Sequence, residues 1–76
     1  MEREEFAARV QDIREQLYRT AYGYLGNPHD SLEAVDEAVY QGFRARGKLR
    51  QPEFFTTWMT RILIRVCYRE LRRRTR

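Results

Sequence analysis

One cysteine, Cys67, stands alone in 76 residues, so no disulfide can form within the chain. A lone cysteine suits a reducing compartment, and its simplest role is that of a small apolar residue in a core. One histidine, His29, and one distant cysteine make no metal-ligand set. No apolar run approaches the ~20 residues of a membrane span, and no signal peptide precedes the first helical pattern. These absences point to the cytoplasm and away from membrane insertion. There is no strand-like alternation, no glycine-rich phosphate loop and no internal repeat. No nucleophile is paired with a base, and no cofactor loop is present, so the chain does not read as an enzyme and needs no cofactor.

Acids are scarce in one part only. From residue 44 to 76 there are two acids, Glu53 and Glu70, against eleven Arg and Lys, a net of +9. From residue 1 to 43 there are nine acids against four Arg, a net of −5. The basic part also holds Phe54, Phe55, Trp58 and Tyr68. Bases stack on aromatics and phosphates pair with arginine, so this mixture suits a nucleic acid. The plainer alternative is a solvated charge run at the end of an ordinary helical domain.

The apolar residues predict an all-α protein, a compact three-helix bundle with a basic third helix. Phe6, Val10, Ile13, Leu17, Ala21 and Tyr24 recur at intervals of three and four, which predicts a first helix over 2–24. Glu2, Glu4 and Glu5 suit its positive N-terminal end. Gly26-Asn27-Pro28 should stop it. Asp30 reads as an N-cap with Glu33 three residues on, which starts a second helix over 31–46. Its buried stripe is expected to be Leu32, Val35, Val39 and Phe43, with Ala38 and Gly42 permitting close approach. Glu33, Asp36, Glu37 and Tyr40 fall on other faces, either for solubility or as a docking face for a basic partner.

Gly and Pro bracket a loop over 47–52. Pro52 or Glu53 should open a third helix that runs to about Arg72. Its inner stripe is read as Phe55, Trp58, Met59, Ile62, Val66 and Cys67. Arg61, Arg65, Tyr68, Arg69 and Arg72 form a second stripe. Like charges at these spacings repel by a few tenths of a kcal/mol per pair, a cost that a polyanion would offset. Adjacent Phe54 and Phe55 cannot both face inward, and whichever lies outside is the better stacking surface. Trp58 reads as a core anchor before a stacking platform. Tyr40 and Tyr68 stay open between rim packing and contact. Arg72, Arg73, Arg74 and Arg76 read as a mobile basic end.

Three blocks carry a family resemblance. Residues 21–27 are Ala-Tyr-Gly-Tyr-Leu-Gly-Asn, residues 30–39 are Asp-Ser-Leu-Glu-Ala-Val-Asp-Glu-Ala-Val, and residues 49–64 are Leu-Arg-Gln-Pro-Glu-Phe-Phe-Thr-Thr-Trp-Met-Thr-Arg-Ile-Leu-Ile. The third continues to Cys67-Tyr68 and Leu71-Arg72-Arg73. Together they resemble region 2 of the extracytoplasmic-function (ECF) group of bacterial RNA polymerase sigma factors. The Leu-Arg-x-Pro-Glu and Cys-Tyr elements are similar to the envelope-stress type of Firmicutes. The likeness spans nearly all of residues 1–76, which are expected to form a single region 2-like domain without the second, −35-reading domain of complete members.

The resemblance implies a transcription-initiation factor. Its partners would be core RNA polymerase, through the clamp helices of β′, and the single-stranded non-template strand of the −10 promoter element. An anti-sigma factor would be a further partner. Carried over by position, Glu33, Asp36, Glu37 and Tyr40 would dock on β′. Lys48, Arg50, Phe54, Phe55, Trp58, Arg61, Arg65, Tyr68, Arg69, Arg72 and Arg73 would line or flank the DNA strand. The chain departs from the family at three of these positions. Arg65 stands where members commonly have Asn, Arg69 where they have Asp, and Asp36 where they have Gln. The first two imply either altered base specificity or stronger and less selective phosphate binding. A second reading from another class is a protein-docking module without productive DNA recognition.

Overall fold

A computed structural model describes residues 1–75; the Arg76 part of the basic-end expectation lies outside the described residues. Helix α1 spans Arg3–Leu25, α2 Pro28–Arg44 and α3 Phe55–Arg74, with short 3-10 turns at Arg46–Lys48 and Pro52–Phe54. Among the described residues there is no strand, and no helix is long and apolar enough to cross a membrane.

Glu2 caps α1 from outside it, its side chain accepting from the Glu5 N–H at 2.8 Å. Glu4 and Glu5 occupy the first turn, where the helix dipole favours acids. Gly26 ends the helix at φ 80, and its N–H reaches the Tyr22 carbonyl at 2.9 Å. A side chain there would be strained, which is why glycine suits the position.

The next helix begins sooner than its sequence pattern predicts. Asn27, not Asp30, is the N-cap of α2: its Oδ1 accepts from the Asp30 N–H at 2.9 Å. Pro28 then takes the first helical position, where its missing N–H costs nothing. So tight a joint folds α1 and α2 back against each other. Arg14 and Asp36 meet across the pair at 2.7 Å.

The buried seam of α2 is also displaced from the expected stripe. Ser31, Ala34, Val35, Ala38 and Gly42 are buried, Val39 and Phe43 only partly, while Leu32 is 53% exposed. The seam favours small residues because the helices approach closely. A Cβ on Gly42 would lie 2.5 Å from the Met59 sulfur. Ser31 has its hydroxyl satisfied by the Asn27 carbonyl at 2.6 Å, so burying it leaves no unpaired donor.

The Pro52–Phe54 turn leads directly into α3. Phe55, Met59, Ile62, Leu63, Val66 and Cys67 are buried along it. Leu63, absent from the expected stripe, is fully enclosed, and Trp58 is only partly buried at the edge of the core. The buried arc is broad because α3 packs against both other helices. One end of the core is aromatic: Phe6 meets the rings of Phe43 and Phe55 edge-on, each at 5.6 Å.

Candidate nucleic-acid interface

Packing fixes which way the arginines of α3 point. At 100° per residue, Arg61, Arg65, Tyr68 and Arg72 fall within an arc of about 60°. All four are exposed, on the side of α3 away from Met59 and Leu63. Among the described residues Arg61, Arg65, Arg69 and Arg72 have no carboxylate within ion-pair distance, so their guanidinium groups are available to an anion. Four adjacent unpaired cations on one helix are an electrostatic cost within the protein and a binding asset toward phosphates.

Aromatic surface lies beside this stripe. Phe54 is 54% exposed just before α3, whereas Phe55 is turned into the core. Phe55 is thus corrected from a strand-lining residue to a core residue, because its ring is enclosed by Phe6 and packs beside Trp58. Tyr68 is half exposed, and its ring is held edge-on against Tyr24 of α1 at 5.5 Å. Tyr24 therefore supports an aromatic surface to which no local sequence pattern assigns it.

The loop between α2 and α3 carries exposed Lys48 and Arg50. It is anchored by two residues outside the expected set. Arg46 lies over the Phe43 ring at 4.0 Å and donates to the Phe43 carbonyl at 2.8 Å. Arg9 of α1 donates to the Pro52 carbonyl at 3.3 Å. The i,i+3 spacing of Phe43 and Arg46 is a local signal for the first contact; nothing local could have signalled the second.

Arg69 and Arg73 turn away from the outer stripe. With Val66 and Glu70 they line a groove whose other wall is Asp30, Glu33, Ala34, Asp36 and Glu37 of α2. Arg73 pairs with Glu70 at 2.6 Å, and Arg74 pairs with Asp30 at 2.5 Å. The end of α3 is thus helical and tethered rather than the mobile run expected from its composition. The Glu70 carboxylate holds the Arg73 guanidinium above its ordinary range. Hydrogen bonds from Asn27 and Arg74 hold the Asp30 carboxyl below the usual carboxylate range.

On the opposite wall, Glu33, Glu37 and Tyr40 are exposed, with Arg44 over the Tyr40 ring at 5.7 Å. Asp36 is engaged by Arg14, so it is partly committed within the chain. His29, Asp30 and Glu33 bring ligand-type atoms within 4.8 Å of one another, but the Asp30 carboxylate is already bonded to Asn27 and Arg74.

A basic outer face on α3 and an acidic outer face on α2 therefore coexist on one small helical body. Against known families, the one described as Sigma-70 region 2 matches residues 9–76. The chain belongs to the sigma-70 region 2 family. The RNA polymerase sigma factor SigV of Bacillus subtilis (strain 168) is 30% identical over 64 residues, which is 84% of this chain and 39% of that protein. The chain spans well under half the length of this relative. No solved structure matches it.

Proposed function

We propose that this sigma region 2 domain is of the ECF group and envelope-stress type. In this reading it docks on the β′ clamp helices through α2 and captures the non-template strand of the −10 element through α3. It would act in the cytoplasm. The observation that carries the DNA half is the row of exposed Arg61, Arg65 and Arg72, unpaired among the described residues, beside the exposed rings of Phe54 and Tyr68. Phosphates would lie along the guanidinium row, and an unstacked base would find a ring to stack on. Lys48 and Arg50 would extend the positive track along the loop. Trp58, at the core edge, would back the strand rather than carry a base alone.

The polymerase half rests on Glu33, Glu37 and Tyr40, exposed together on α2, with Asp36 beside them. Exposed Leu32 on the same helix favours a second reading, in which α2 serves only to dock a polymerase subunit or an anti-sigma factor. Fluorescence anisotropy with short single strands carrying candidate −10 or scrambled sequences, over a range of salt, tests the DNA half. A sequence preference that falls on Arg65→Ala supports promoter readout. Binding indifferent to sequence reduces it to counterion release. Charge reversal at Glu33 and Glu37 separates the two readings, because it abolishes polymerase docking under both and leaves strand binding intact only under the first.

A further inference from the structure

The end of α3 is tied to the start of α2 by a short polar chain. Asn27, which caps α2, also donates from Nδ2 to Asp30 Oδ2 at 3.1 Å. The same oxygen accepts from Arg74 Nη2, 44 residues on. Glu70 accepts from Arg73 through both Nε (3.1 Å) and Nη2 (2.6 Å), and its other oxygen lies 3.7 Å from Arg74 Nε. Asp30 and Glu70 are only 25% and 21% exposed at the side chain. The Asp30–Arg74 pair is enclosed at both ends, Arg74 being 35% exposed, and is held more firmly than an open surface pair; Arg73, 74% exposed, is held by its two bonds to Glu70.

The consequence is a division among the six arginines of α3. Among the described residues Arg61, Arg65, Arg69 and Arg72 have no acid partner, while Arg73 and Arg74 share two carboxylates and are locally neutral. We propose that Asp30 and Glu70 are positioning residues that withhold Arg73 and Arg74 from nucleic acid, confining the polyanion to the face built on Arg61, Arg65 and Arg72. This rests on the strand-binding reading above. It excludes Arg73 from the contact set that position alone suggested. The physical gain is selectivity: two cations at a helix end, free to reach any phosphate, would strengthen binding to every sequence alike.

The test is the salt dependence of single-strand binding by the 76-residue chain and its variants, using the −10-like and scrambled oligonucleotides. Each phosphate contact on a single strand adds about 0.7 to the slope of log K against log salt. Asp30→Asn is expected to steepen that slope by about 0.7, as Arg74 becomes a phosphate ligand, and to tighten both oligonucleotides equally. Glu70→Gln should do the same through Arg73. Arg74→Ala should leave the slope unchanged. A shallower slope in Arg74→Ala, or an unaltered one in both Asp30→Asn and Glu70→Gln, overturns the proposal. Hydrogen exchange of the last turn of α3 gives a readout that does not depend on DNA. Faster exchange in Asp30→Asn is expected; equal exchange in the two proteins overturns the tether. If no variant binds either oligonucleotide but exchange still quickens, the strand-binding reading and the withholding role built on it fail together, and only the tether survives.

Discussion

Phe54 and Phe55 are neighbours with opposite fates, and the contrast makes a direct experiment. Phe55 is 3% exposed and touches the Phe6 ring, so Phe55→Ala should cost about 3–5 kcal/mol. A domain this small has little stability to spare, so thermal or urea denaturation should find that variant largely unfolded. Phe54 is mostly outside, so Phe54→Ala should leave the melting temperature nearly unchanged. It should weaken single-strand binding by about 1–3 kcal/mol if a base stacks on that ring, as anisotropy would read. Gly42 offers another single-residue test. An alanine there meets the Met59 sulfur, and overpacking of about 1–3 kcal/mol should appear in the same denaturation measurement. At this scale the sequence could say that one of the two phenylalanines faces out, but not which. That depends on where α3 starts, and it starts at Phe55 because the preceding three residues close a separate 3-10 turn.

The joint between α1 and α2 is governed by Gly26, Asn27 and Pro28 together. All three were legible as a stop signal, yet only Gly26 ends a helix; the other two begin one. In sequence Asp30 fits a capping pattern equally well, but the N-cap is Asn27. Asn27 wins because a Pro at the first helical position needs its cap immediately before it. Asn27→Ala should therefore cost about 0.5–2 kcal/mol in stability, more than an uncapped loop residue would. Asp30 instead serves the tether to α3. Its carboxyl is held below the ordinary range in the folded chain, so its contribution is present at neutral pH, above the unfolded carboxylate range, and is lost as pH falls through the lowered folded value. The gap in melting temperature between the wild type and Asp30→Asn should hold at pH 7 and close under strongly acidic conditions, as pH-dependent calorimetry would show.

For the molecule as a whole, charge is sorted between two outer surfaces, acidic on α2 and basic on α3, with mixed pairs in the groove between them. Reversal of the exposed pair, Glu33→Lys with Glu37→Lys, should abolish binding to core polymerase in a pull-down while single-strand binding persists or strengthens. Both positions are exposed on the rim of the groove, and among the described residues each pairs only within α2, Glu33 with His29 and Glu37 with Gln41, so the double variant should fold normally by circular dichroism. Asp36 is a poorer choice for that test, because its reversal also breaks the pair with Arg14.

The all-α class, the three helices, their approximate limits and the +9 and −5 division of charge were all determined by the sequence itself. These follow from apolar spacing, from Gly and Pro placement and from composition, all of which act over a few residues. The family motifs were equally legible, because they are local strings. Tertiary structure alone decided that α2 packs through Ser31 and Ala34 rather than Leu32, since close helix approach selects for small volume over hydrophobicity. It alone placed Tyr24 under Tyr68 and anchored the loop through Arg9. It also divided the arginines, because a guanidinium is free or bound according to the carboxylate that folding brings beside it, and Asp30 lies 44 residues from Arg74 in the chain.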